Sequence, residues 1–123
     1  MTDTTIDALL GHTLTAIDGA AIGSEEIRFS ATDNRRWRMY HWPDCCENVE
    51  VAEVIGDVDD LIGSPILRAE EASSPYRPCD RYDDAGTWTF YKLATIKGEV
   101  VLRWLGTSNG YYSERVDFEE ITQ

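Results

Sequence analysis

No run of this 123-residue sequence approaches the roughly 20 consecutive apolar residues that a membrane-spanning helix requires. Its opening, "MTDTTIDALLGHTL", has neither a basic n-region nor an apolar h-region, so a secretory leader is not expected there. Cysteine is scarce and odd in number, with three in the chain, two of them adjacent at Cys45 and Cys46. That count excludes a paired disulfide framework and predicts reduced thiols in a cytoplasm. Basic residues are also few: 11 Lys and Arg stand against 23 Asp and Glu, for a net charge of −12. Phosphate-backbone binding relies on Lys and Arg displacing counterions, so direct contact with nucleic acid is not expected, and neither is a membrane partner. Internal repeats are absent.

What remains is enough to fold. A chain of this length is read as a single domain over residues 1–123, and 42% apolar residues with four Trp and six Tyr supply a core. The acids are unevenly spread. Between Met39 and Leu67 there is no Lys or Arg, while Asp44, Glu47, Glu50, Glu53, Asp57, Asp59 and Asp60 all fall there. Such a stretch keeps a protein soluble, and it also suits a partner with a basic surface. A mimic of DNA that blocks a nucleic-acid-handling protein is one form of that second reading.

Alternation at period two dominates the chain. "EIRFSA" (Glu26 to Ala31) places Ile27, Phe29 and Ala31 on one face. "RRWRMYHW" resumes after the Asp33-Asn34 turn, with Trp37, Met39 and His41 aligned. Thr13 to Asp18, "VEVAEVI" (Val49 to Ile55) and Pro65 to Glu70 are read as further strands, although the second also fits a helical stripe. Short helical turns are expected at Thr4 to Leu10 and in "GDVDDLIG", the latter capped by Asp57. "TWTFYKLATI" and "EVVLRWLG" form a hairpin about Lys97-Gly98, and Asn109-Gly110 turns the chain into "YYSERVDFEEI". Residues 72–86 are rich in Pro, Ser, Asp and Gly, and read as a long surface loop. The pattern predicts a mainly β domain of about seven short antiparallel strands with one or two short helices, built as a sandwich or partly open barrel.

Two segments concentrate chemistry. "HWPDCCE" (His41 to Glu47) holds an imidazole, two thiols and two carboxylates. A nucleophilic cysteine needs a base in reach and a lowered pKa, but Asp44 and Glu47 disfavour thiolate. His41, Cys45 and Cys46 are therefore only weak catalytic candidates. Zinc would need about four ligands, and His12, His41, Cys45, Cys46 and Cys79 show no C-x-x-C or H-x-x-x-H spacing. "GDVDDLIG" fails as a calcium loop, because Ile62 and Arg68 stand where Gly and Glu are required. No metal and no cofactor are expected. "GTSNGYYSE" gathers Ser108, Asn109, Tyr111, Tyr112 and Glu114 around one turn, the composition of a recognition loop.

Taken together, "DCCE" (Asp44 to Glu47), "GDVDDLIGSPILRAEE" (Gly56 to Glu71) and "TWTFYKLATIKGEVVLRWLGTSNGYYSE" (Thr87 to Glu114) resemble a family of small proteins from tailed actinobacterial bacteriophages and related prophages. The resemblance implies a phage origin and action in the cytoplasm of an infected bacterium, and it brings no catalytic residues with it. The expectation is a non-enzymatic module that binds or inhibits a host protein through Asp44 to Asp60 and the Ser108–Glu114 turn. The alternative is a small-molecule or thiol-dependent site formed by His41, Cys45, Cys46 and the Asn109–Glu114 turn.

Overall fold

A computed structural model of the chain describes residues 2–42, 47–76, 85–108 and 114–121. Among them lie nine strands: β1 (Thr2–Asp3), β2 (Leu14–Asp18), β3 (Glu26–Ala31), β4 (Arg36–Tyr40), β5 (Asn48–Ile55), β6 (Arg68–Tyr76), β7 (Ala85–Thr95), β8 (Gly98–Ser108) and β9 (Asp117–Ile121). They form a five-stranded sheet ordered β1-β9-β4-β3-β2 and a four-stranded sheet ordered β5-β8-β7-β6. Neighbouring strands pair antiparallel throughout both sheets. The result is a sandwich-like mainly β fold in which neither sheet closes into a barrel.

The alternating sequences dictate the core. Ile27, Phe29, Trp37, Met39 and Phe118 point inward from the larger sheet. They meet Val49, Val51, Tyr91, Leu93, Val100, Leu102 and Trp104 from the smaller one. The Trp104 indole N–H, which needs an acceptor once buried, finds the Met39 sulfur of the opposite sheet at 3.1 Å. Ile6 and Leu9 on a 3-10 turn (Ile6–Leu9) close one margin of this core. A second 3-10 turn (Val58–Leu61) buries Leu61, and the Asp57 carboxylate caps it by accepting the Asp59 N–H at 3.0 Å.

Several elements depart from the sequence reading. Ala72 to Tyr76 and Ala85 to Gly86, expected within a loop, belong to strands, and residues 77–84 lie outside the described residues. β6 is an edge strand paired only with β7, from Arg68↔Ala94 to Tyr76↔Gly86. At such an edge a proline interrupts no ladder if its nitrogen faces away from the partner, so Pro75 is tolerated. The β7–β8 hairpin turns on Ile96-Lys97 rather than Lys97-Gly98, because Thr95 pairs with Gly98. Pro65 makes only an isolated bridge to Thr13, and β6 begins at Arg68. Asn34 adopts φ 68° in the β3–β4 turn, a conformation that asparagine accepts more readily than most residues.

Candidate functional site

His41 follows β4 directly and continues its inward alternation. Its side chain is only 7% exposed, and its Nε2 meets the Oε1 of Glu47 at 2.9 Å. On the other side, Nδ1 lies 2.6 Å from the main-chain oxygen of Arg115. Both ring nitrogens are thus engaged, one by a carboxylate and one by a carbonyl, so neither is left to serve a thiol as base. Glu47 is fully buried at its side chain. Although it sits in the acidic stretch, it faces inward and adds nothing to an exposed acidic surface.

The Arg115 contact joins two segments that are far apart in sequence. Glu114 is held by the Thr87 hydroxyl, which donates to Oε1 at 2.8 Å, and by the Ser108 hydroxyl, which donates to Oε2. The chain passes here because position 106 has no side chain. A Cβ on Gly106 would stand 2.5 Å from the Glu114 carbonyl oxygen and 2.9 Å from its Cβ. Ser108 is itself buried. Ser108 and Glu114 therefore spend their polar groups on each other and on Thr87, inside the sandwich end. Asp44, Cys45, Cys46, Asn109, Tyr111 and Tyr112 lie outside the described residues.

The rest of the acidic stretch follows β5 and the turn after it. Glu50 pairs across from Leu105, and Glu53 from Arg103, on the solvent side of the four-stranded sheet. Asp57 and Asp59 are exposed at the end of that strand, and the Asp60 main-chain oxygen accepts from Thr95.

That solvent side carries an aromatic cluster. In β7 and β8 the outward positions include Trp88, Phe90, Val101, Arg103 and Leu105, all half-buried, together with the exposed Lys92 and Glu99. Trp88 and Phe90 stack with centroids 6.4 Å apart and planes 24° apart. The Arg103 guanidinium lies 4.7 Å from the Trp88 ring centre and 5.6 Å from that of Phe90, and it pairs with Glu53. Ile55 stands 47% exposed beside them. Glu70 and Glu99, bridged by Arg68 at 2.9 and 3.0 Å, bound the face at its other end.

The model of one protein family, the domain of unknown function DUF7448, matches residues 7–118. The chain belongs to the DUF7448 family. No curated protein and no solved structure matches it. The DUF7448 domain has, among its described residues, no helix long and apolar enough to cross a membrane. Nor does any cluster of three or more His, Cys, Asp or Glu there have the arrangement to hold a metal ion.

One constellation in the domain escaped sequence reasoning. At the opposite end of the five-stranded sheet, Arg35 grips Glu120 through two nitrogens, at 2.9 and 2.6 Å. The Glu120 carboxyl is held below its ordinary value of 4.5, chiefly by the Arg35 hydrogen bond. His12 lies between Asp33, at 3.5 Å, and Arg35, at 3.4 Å, with its ring edge-on to Trp37. Beside them a groove of about 670 Å³ is lined by Thr15, Ser30, Asn34, Arg35, Arg36 and Glu120 among others. These residues come from β2, β3, the β3–β4 turn, β4 and β9, so the sheet order is what brings them together. The one available sequence signal was the charged turn "TDNRR".

Proposed function

We propose that the DUF7448 domain is a non-enzymatic binding module that docks a basic protein, with the solvent face of the β5-β8-β7-β6 sheet as its contact surface. The observation that carries this reading is the coincidence on one face of an aromatic and aliphatic patch with acids on both sides. Phe90, Val101, Leu105 and Ile55 supply desolvatable area, and Trp and Arg are the residue types most enriched at interface hot spots. Glu50 and Glu53 border this patch on the β5 side, where Asp57 and Asp59 extend the negative charge. A net charge of −12 favours rapid encounter with a cationic surface. The resemblance to phage proteins makes a host protein in the bacterial cytoplasm the natural partner, and a nucleic-acid-handling protein fits that charge.

The test is capture from bacterial lysate by the immobilised domain at low and high ionic strength, repeated with the E50K/E53K double variant. A specific partner retained at low salt, lost at high salt and lost by the variant supports the reading. Failure to retain any partner, or equal retention by the charge-reversed variant, refutes it.

A second reading has one observation in its favour. The His41–Arg115 hydrogen bond sets His41 beside the residue that follows Glu114, and a small-molecule or thiol-dependent site would need such a meeting. Thiol alkylation at neutral pH discriminates: rapid labelling of Cys45 or Cys46 supports this reading, and slow labelling refutes it.

A further inference from the structure

The groove beside Arg35 stands apart from the rest of the surface in the polar groups it leaves unmatched. A guanidinium cannot shed its charge, so one set against its own chain is expected to have an acceptor there. The other arginines among the described residues meet that expectation: Arg28, Arg35, Arg38, Arg68, Arg103 and Arg115 each pair with a carboxylate. The Arg36 side chain makes no ion pair and no hydrogen bond among the described residues. It is nevertheless half-buried, in a chain where 23 acids stand against 11 bases.

Strand register explains where this cation stands. Ala16 lies opposite Ser30, Ser30 opposite Arg36, and Arg36 opposite Ile121, so the four side chains form one row on the outer face of the five-stranded sheet. Ala16 and Ser30 are small, which leaves the space beside the guanidinium open. The groove there, of about 670 Å³, falls within the roughly 300–1,000 Å³ of small-molecule pockets. Two further donors line it without partners: the Ser30 hydroxyl and the Asn34 side-chain amide make no hydrogen bond among the described residues. Thr15 differs, since its hydroxyl donates to the Ser30 main-chain oxygen at 3.3 Å. Glu120 is the only acid among the described lining residues, and Arg35 neutralises it through two nitrogens. Ala31 and Ile121 supply an apolar wall.

We infer that this groove binds a small organic acid through a single carboxylate, with Arg36 as its counter-charge. A carboxylate offers two acceptor oxygens to the parallel N–H groups of a guanidinium. Its remaining lone pairs take the Ser30 hydroxyl and the Asn34 amide, so all three unmatched donors are used at once. The apolar body of the acid lies against Ile121 and Ala31. One free positive charge matches one carboxylate. A dianion such as phosphate exceeds it, and a chain of net charge −12 repels the second negative charge.

The test is an NMR titration of the full-length 15N-labelled chain with sodium hexanoate, with 1-hexanol and inorganic phosphate as controls. Hexanoate is expected to shift the Ser30, Asn34, Arg36 and Ile121 amides saturably, and to bind at least about tenfold more tightly than hexanol, the worth of a charge-assisted contact. Phosphate should bind more weakly than hexanoate. R36Q should weaken hexanoate binding about tenfold and leave Tm unchanged, because the guanidinium has no partner within the chain to lose. S30A should weaken binding several-fold. Absence of saturable shifts with hexanoate, equal binding of hexanol, tighter binding of phosphate, or R36Q binding like the parent chain would each overturn the assignment. So would a clear loss of Tm in R36Q, which would show that Arg36 is already matched in the free protein. The groove lies on the other sheet from the docking face, and hexanoate binding should be the same in E50K/E53K, so the two proposals fail separately.

Discussion

Replacing Arg38 by alanine tests how the outer face of the five-stranded sheet is held. Arg38 and Glu119 are cross-strand partners in the β4–β9 ladder, joined at 2.7 Å, with side chains 17% and 7% exposed. The guanidinium also covers the Tyr40 ring at 3.9 Å and approaches Glu26 at 3.6 Å. Removing one member of a buried pair costs roughly 3–5 kcal/mol, because the other charge is left uncompensated. Partial exposure of Arg38 places R38A at the lower end, about 3 kcal/mol. With an unfolding entropy of about 2.1 cal/mol/K per residue, a chain of this length loses about 12 °C in Tm. E119A leaves a guanidinium that water and Glu26 still reach, so its cost is smaller, about 1 kcal/mol. The double variant relieves the stranded carboxylate and should cost about 2 kcal/mol, well short of the additive sum. Calorimetry on the four proteins of the cycle gives the answer. A Tm loss under about 4 °C for R38A, or additivity within about 0.5 kcal/mol, would refute the reasoning.

G106A forces a Cβ onto the Glu114 backbone and should cost about 2–3 kcal/mol in a denaturant melt; it should also displace the His41 imidazole resonances, because Arg115 moves with Glu114. Y91F should leave Tm unchanged or raise it by the order of 1 kcal/mol in stability, since it removes a buried hydroxyl with no direct hydrogen-bond contact among the described residues; a clear loss would mean the hydroxyl is satisfied in solution. The Glu120 and Glu70 carboxyls are held low by Arg35 and Arg68. Stability from a depressed carboxyl is present above its unfolded value of 4.5 and lost as pH falls through the lower folded value. R35A should therefore reduce Tm above that pH and converge with the parent chain in stronger acid, in a series of melts against pH; parallel curves would contradict this.

Much of the architecture was legible because one face of each strand is buried, which writes period-two alternation into the sequence. "EIRFSA", "RWRMY" and "EVVLRWLG" gave their inward residues by that rule alone, and the Asp57 cap followed from helix-start chemistry. The rule failed where burial on one side is weak. Residues 72–75 are exposed on an edge strand, so Ser73, Ser74 and Pro75 carry no alternation to read. Of the candidate site, the inward direction of His41 was visible from its place beside Trp37 and Met39. Glu47 as its partner was not, since six residues separate them and nothing local fixes their meeting. The groove by Arg35 combines residues from distant strands, which the sheet order places together.

In β5 the ladder skips a residue, Val51 pairing with Trp104 and Glu53 with Arg103, so Ala52 is a bulge with no partner. Glu50 and Glu53, three apart, would otherwise face opposite ways; the extra alanine is what turns both toward solvent. Were Ala52 taken into a regular ladder instead, Glu53 would turn toward the interior and Val54 outward, swapping a carboxylate for an aliphatic side chain on the exposed side. The character of this surface is thus set by where the ladder slips as much as by residue identity.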